Sequence, residues 1–112
     1  MTALQSDSFQ AIADPSRREI LLMLAGDKKS INSIAEHFDI SRPAISKHIK
    51  VLHQAGFITF EEKGRERYCI LRQEGFDELK EWINFFDNFW KERLGKLEQL
   101  LEKHPDIAKK KK

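Results

Sequence analysis

The segment from residue 41 to 56 combines basic and small polar side chains and contains no acidic residue. Arginine, lysine and serine side chains donate hydrogen bonds to phosphate oxygens and to the acceptor atoms of guanine. The small side chains among them would let a helix backbone come close to its partner. We therefore expect contacts to double-stranded DNA from this segment, made by Ser41, Arg42, Pro43, Ala44, Ser46, Lys47 and Lys50.

A second basic group surrounds a glycine further along the chain, at Lys63, Gly64, Arg65 and Arg67. Glycine adopts the positive φ angles that tight turns need, so this group predicts the tip of a β-hairpin. We expect all four residues to reach the DNA backbone or minor groove. The competing interpretation is that the arginines pair on the surface with neighbouring glutamates.

Two short helices must position the first basic group. Ser30 and Ser41 are good N-caps, and apolar residues follow each of them at helical spacing. Two helices joined by a short turn, the second one basic on its outer face, form a helix-turn-helix over about residues 30–55. Asp14 and Pro15 predict the start of an earlier helix that Gly26 ends.

Period-two alternation over residues 57–72 predicts the hairpin, or wing. Placing the apolar residues on one face pairs Ile58 with Ile70 and Phe60 with Tyr68. That register requires a loop of odd length and sets Glu61 opposite Arg67.

A single long helix is predicted over residues 74–104, with apolar residues every three to four positions. A helix of this size is about 45 Å long, which the small preceding domain cannot cover. We expect its uncovered face to form a homodimer interface. That interface would comprise Leu79, Trp82, Ile83, Phe86, Phe89, Trp90, Leu94, Leu97 and Leu101. A ligand pocket among Phe85, Phe86, Phe89 and Trp90 is the alternative.

Length and composition indicate one globular domain. The chain has 112 residues, of which 40% are hydrophobic and 34% charged. We expect residues 1–105 to form the domain and the lysine-rich residues 106–112 to be a disordered tail. The absence of a membrane-length apolar run and of a signal-like N-terminus predicts a cytoplasmic protein. The one cysteine, Cys69, is expected to be a small apolar strand residue.

The chain resembles the ArsR/SmtB family of winged helix-turn-helix repressors. The resemblance is carried, in the family's order, by residues 13–17, 41–49, 55–58 and 63–65, followed by Tyr68 and Leu71. It implies a mainly α fold with a small β-hairpin, and a dimer that binds operator DNA and releases it on a signal. Within the first motif, Arg17 would either contact DNA or brace the scaffold.

Many members of this family sense metals, but this chain departs from them. The helix over residues 30–37 has no cysteine, and the terminal helix has no histidine before His104. His37, His48, His53 and His104 are scattered, and we expect His48 to be structural. The resemblance is therefore to the metal-independent branch, and no metal or other cofactor is expected.

The sequence thus predicts a homodimeric repressor that binds an inverted-repeat operator. It contains no catalytic triad, phosphate-binding glycine loop or paired carboxylates that would indicate an enzyme. Two alternatives remain open: a winged helix that binds only other proteins, and a ligand- or metal-responsive sensor of the same fold. The inducer would be a small molecule or another protein.

Overall fold

The computed structural model describes residues 7–103. The chain divides into two compact units, one ending at Leu79 and the other beginning at Lys80. In chain order the elements are α1 (Ser8–Ala11), α2 (Pro15–Gly26), β1 (Lys29–Ser30), α3 (Ile31–His37), α4 (Arg42–Gln54), β2 (Ile58–Lys63), β3 (Glu66–Leu71) and α5 (Gln73–Lys103). The predicted mainly α fold with a small antiparallel sheet is confirmed.

Side-chain caps determine where three of the helices begin, as the sequence predicts. Asp14 accepts hydrogen bonds from the Ser16 and Arg17 amides at 2.7 and 3.3 Å. Burial raises the pKa of Asp14, but these two bonds, together with the charges of His48 and Arg17, outweigh burial and lower the pKa. Ser30 caps α3 and Ser41 caps α4, each by accepting the amide of the third residue along. The turn between them completes the helix-turn-helix.

The core of the first unit lies where one face of each helix meets the sheet. On α4, Ile45, Ile49 and Leu52 are buried at intervals of three and four residues. This stripe determines which face of α4 is left for solvent. The remaining core residues are Ala11, Ile20, Leu21, Leu24, Ile34, Phe57, Ile58 and Cys69.

Arg17 braces the scaffold, which is one of the two roles considered for it. Its Nε donates to the carbonyl oxygen of Ala11 at 2.6 Å, and Nη2 donates to that of Gln10 at 3.1 Å. Its Nη1 lies 3.2 Å from Nδ1 of His48 on α4. Since a guanidinium only donates, Nδ1 accepts here. His48 therefore has a structural partner that ties α4 to the end of α1.

The sheet differs from the predicted hairpin in register and in size. β2 and β3 pair with Ile58 opposite Leu71 and Phe60 opposite Cys69, around a two-residue turn at positions 64 and 65. The predicted pairs of Ile58 with Ile70 and Phe60 with Tyr68 are therefore wrong, as is the loop of odd length. The short strand β1 adds to the other edge of β3 and gives the order β1-β3-β2.

The register turns Cys69 into the core rather than its neighbours Tyr68 and Ile70. Cys69 is fully buried and Ile70 is half-buried, because Cys69 shares a face with the buried Ile58. Burial raises the pKa of the Cys69 thiol from 9.0 to about 11. The expectation of a small apolar strand residue is confirmed.

A glycine contact joins the end of α4 to the start of α5. Gly56 has a φ of 84°, and its carbonyl oxygen accepts the Gly75 amide at 2.8 Å. The fully buried ring of Phe57 fills the space beside Gly75, where a Cβ atom would lie 2.7 Å from the ring. This ring also packs edge-on against Phe76, with centroids 4.8 Å apart. The first turns of α5 are thereby held against the helix-turn-helix.

The second unit, as far as it is described, is the remainder of α5. Its large apolar side chains are exposed apart from the half-buried Leu101, and Gly75 is the one buried residue of the whole helix. No helix within residues 7–103 is long and apolar enough to span a membrane. The predicted tail at residues 106–112 lies outside the described residues.

Candidate nucleic-acid interface

The outer face of α4 carries the first predicted group of contact residues. Because its apolar stripe points into the core, the opposite side chains are left in solvent. Ser41 is the exposed cap of the helix and Ala44 is half-buried at its first turn. The remaining five are all exposed: Arg42, Pro43, Ser46, Lys47 and Lys50.

The cations on this face are not neutralised by the protein. Within residues 7–103, Arg42, Lys47 and Lys50 form no ion pair. The N-terminus of α4 adds partial positive charge from its backbone amides. The face can therefore accept an external polyanion without first breaking internal pairs.

The tip of the hairpin carries the second predicted group. Gly64 has a φ of 65°, which allows the tight turn, and Lys63 and Arg65 are exposed on either side of it. Arg65 has no ion-pair partner in the described part of the chain. Lys63 and Arg65 thus project from the turn.

Arg67 lies further from the tip and is already paired. The predicted cross-strand partner, Glu61, is wrong: Arg67 lies opposite Glu62, and its Nη2 donates to Glu62 at 2.9 Å. Glu61 instead binds Lys28 at 2.7 Å. That hydrogen bond lowers the pKa of Glu61 and raises the pKa of Lys28. Any anion that binds Arg67 must therefore compete with Glu62.

A surface groove of about 260 Å³ lies between α4 and the hairpin. Ser46 and Lys50 line it from the helix, and Arg67 lines it from β3. His53, which is not among the predicted contact residues, lines the same groove. Its spacing from Ser46 and Lys50 places it on the same stripe of α4, but this spacing does not indicate that the hairpin lies beside it.

The predicted dimer residues lie along α5. Leu79 is half-buried in the first unit, and Leu101 is half-buried near the end of the helix. Trp90 and Leu97 are 56% and 42% exposed. The other predicted members are exposed as well: Trp82, Ile83, Phe86, Phe89 and Leu94.

Neither of two surface grooves on the described part of α5 is lined by all four aromatic residues of the predicted ligand pocket. Phe86 and Trp90 border an open groove of about 360 Å³, whereas Phe89 borders a different groove. Phe85 is 65% exposed and packs edge-on against Phe86. Across residues 7–103, no three histidine, cysteine, aspartate or glutamate side chains are grouped so that they could hold a metal ion.

Comparisons with known proteins agree with this arrangement. Residues 14–59 match the family model "Bacterial regulatory protein, arsR family". The chain is 41% identical to the transcriptional repressor SdpR of Bacillus subtilis over 80 residues, which are 71% of this chain and 89% of SdpR. It is 32% identical to the HTH-type transcriptional regulator Rv2034 of Mycobacterium tuberculosis, over 88% of this chain and 90% of that one.

The fold is also similar to that of a solved structure from the same family. A crystal structure of an ArsR family transcriptional regulator superposes with a TM-score of 0.70 at 33% identity. The superposition covers 76% of this chain and 93% of the other. With the exposed basic face of α4 and the hairpin beside it, these similarities lead to one assignment. The chain belongs to the arsR family of bacterial regulatory proteins and is a winged-helix, DNA-binding transcriptional regulator, not an enzyme.

Proposed function

We propose that the protein is a homodimeric repressor that binds an inverted-repeat operator and blocks transcription from the promoter it covers. Helix α4 of each protomer enters the major groove, and the two helices lie about 34 Å apart in successive grooves. The two hairpins contact the flanking backbone. The protein would act in the cytoplasm, where such an operator is found.

The exposed face of α4 carries this proposal. Small residues at its first turn, Pro43 and Ala44, leave room for Arg42 and Lys47 to reach base edges. Both side chains are exposed and without ion pairs within residues 7–103, so no ion pair among these residues is broken on binding. Their position near the N-terminal end of the helix is where recognition helices make their base contacts.

The apolar side of α5 supports the dimer. Side chains such as Trp90 and Leu97 are about half exposed and repeat at helical spacing. A monomeric protein in water rarely leaves so many large apolar side chains exposed to solvent. A second copy of the same helix would cover them with a matching surface, and the two-fold symmetry of that pair suits an inverted repeat.

The dimer is tested by the mass of the protein in solution. Leu97→Glu places a charge in the proposed interface, and we expect light scattering to show a monomer. The control is Gln99→Glu, which puts the same side chain on the polar side of α5 and should remain a dimer. If Leu97→Glu stays dimeric with unchanged helix content, the interface lies elsewhere.

DNA binding is tested by fluorescence anisotropy with DNA from upstream of the protein's own gene and a scrambled duplex of equal length. We expect nanomolar, sequence-selective binding. If about eight phosphates are contacted, the slope of log K against log salt should be near −7. Equal, weak binding to both duplexes at every salt concentration would leave two options: the operator lies elsewhere, or the basic face is only a weak electrostatic patch and a protein-binding role is favoured.

A further inference from the structure

We propose that the groove between α4 and the hairpin binds one backbone phosphate of DNA, and that His53 is a pH-dependent ligand of that phosphate. The inference rests on the proposed DNA-binding function and adds to it a contact residue and a means of regulation. The observation behind it is the convergence of three nitrogen-bearing side chains, Lys50, His53 and Arg67, on one groove beside the recognition helix.

The lining of the groove suits an anion of limited size. Lys50 and His53 come from one stripe of α4, and Ser46 adds a hydroxyl group from the same stripe. Arg67 reaches it from the opposite wall, on β3. The other lining residues, Ile31, Ile49 and Phe60, are apolar, so no acidic side chain lines the groove.

Phe60 positions both the histidine and the arginine. The imidazole of His53 stacks on the Phe60 ring with centroids 4.6 Å apart and planes 27° apart. The guanidinium carbon of Arg67 lies 4.9 Å from the centroid of the same ring. The stack on Phe60 orients the imidazole ring, while the His53 side chain stays exposed to solvent.

The phosphate, rather than the protein's own charges, gives the direction of the pH effect. Lys50 on α4 and Arg67 on β3 face it, Glu62 on β2 pairs with Arg67, and α3 contributes only the apolar Ile31. Histidine changes charge between about pH 5 and 8. A phosphate in the groove favours the protonated ring, so the complex takes up a proton and DNA affinity increases as pH falls. The last turn of α4, where His53 lies, also favours a cation.

The test measures the dissociation constant for DNA at pH 6 and pH 8 at constant ionic strength. We expect the unaltered protein to bind about fivefold more tightly at pH 6, which is the effect of one partly exposed charge pair. His53→Gln should bind equally at both pH values, with the affinity of the unaltered protein at pH 8. His53→Lys, with a permanent charge, should bind at pH 8 as the unaltered protein does at pH 6.

The matched control is His37→Gln on α3. His37 is an exposed histidine outside the groove, 3.5 Å from Glu19, and its loss should leave the pH effect intact. The inference is overturned if His53→Gln keeps the full pH effect, or if the unaltered protein binds selectively but independently of pH. A protein that shows no selective DNA binding at either pH refutes the proposed function itself, which is a separate and recognisable result.

Discussion

Replacing Gly75 by alanine should destabilise the protein, although the same change elsewhere in α5 should stabilise it. An added Cβ at Gly75 would lie 2.7–2.9 Å from three ring carbons of Phe57, closer than unstrained carbon atoms approach. The ring cannot move aside easily, because Phe57 is fully buried and packs edge-on against Phe76. Either the ring or the start of α5 must therefore shift.

The expected size of the effect follows from two opposing contributions. Overpacking a well-packed core costs about 1–3 kcal/mol. Replacing glycine by alanine within a helix raises the free energy of unfolding by about 1 kcal/mol, because alanine has the higher helix propensity. We therefore expect Gly75→Ala to lower the free energy of unfolding by up to about 2 kcal/mol and the Tm by up to about 10 °C.

The control is Gly95→Ala in the same helix. An added Cβ at Gly95 has no atom within 4 Å, so only the helix propensity changes. The free energy of unfolding of that variant should be about 1 kcal/mol higher than that of the unaltered protein. Both are compared with the unaltered protein by thermal unfolding followed by circular dichroism, at one protein concentration because the proposed dimerisation would shift Tm. If Gly75→Ala raises Tm as Gly95→Ala does, the contact between Phe57 and Gly75 is not a tight one and the reasoning fails.

Three further predictions concern a helix cap, a buried thiol and a competing carboxylate. Ser30→Ala removes the hydroxyl that accepts the Ser33 amide at 3.1 Å, and it should lower the free energy of unfolding in urea by about 1 kcal/mol. An unchanged urea midpoint would contradict this. Since burial raises the pKa of Cys69 from 9.0 to about 11, its neutral thiol stabilises the fold below pH 9 and this contribution is lost as the pH rises towards 11. The stability of the unaltered protein relative to Cys69→Ala should therefore fall by about 2–3 kcal/mol across that window, and a constant difference would refute it. Glu62→Gln frees Arg67 and should tighten DNA binding about threefold to tenfold, whereas Glu98→Gln on α5 should not; equal effects would point to net charge alone.

The helices could be predicted from the sequence because their signals are local. Asp14, Ser30 and Ser41 each cap the helix that follows, and apolar spacing identifies the inward face of α4. The basic face opposite that stripe is then a geometric consequence. The same reasoning places the exposed apolar residues of α5, although their role as a dimer interface stays a prediction.

The sheet could not be predicted in the same way. Tyr68, Cys69 and Ile70 are all compatible with a strand interior, and alternation alone does not say which of them points inward. The two-residue turn at 64 and 65 decides this, and it buries Cys69 opposite Phe60. Strand β1 is only two residues long, and it exists because β3 offers it a free edge, which is a tertiary effect.

Tertiary contacts likewise explain what was missed at the candidate site. Glu61 forms an ion pair with Lys28, which is distant in the sequence. Arg67 forms its ion pair with Glu62 instead. His53 becomes part of the groove only because the hairpin folds back and sets Phe60 against it. No pattern within either segment encodes that approach.

The outer face of α4 and the hairpin tip are proposed to contact operator DNA, and a comparison of two triple variants tests this proposal. The triple variant Arg42→Ala, Lys47→Ala, Arg65→Ala removes three exposed cations that form no ion pairs within residues 7–103. Lys80→Ala, Lys91→Ala, Lys96→Ala removes the same net charge from α5. Both are titrated with the operator and with a scrambled duplex across a salt series.

We expect the first variant to lose at least about a hundredfold in operator affinity, since each lost contact is worth about 1 kcal/mol or more. Its salt slope should fall by up to about 3. The α5 variant should bind the operator with little change. If the first variant keeps its affinity and selectivity while both remain folded dimers, the DNA-binding surface is not on α4 and the hairpin tip.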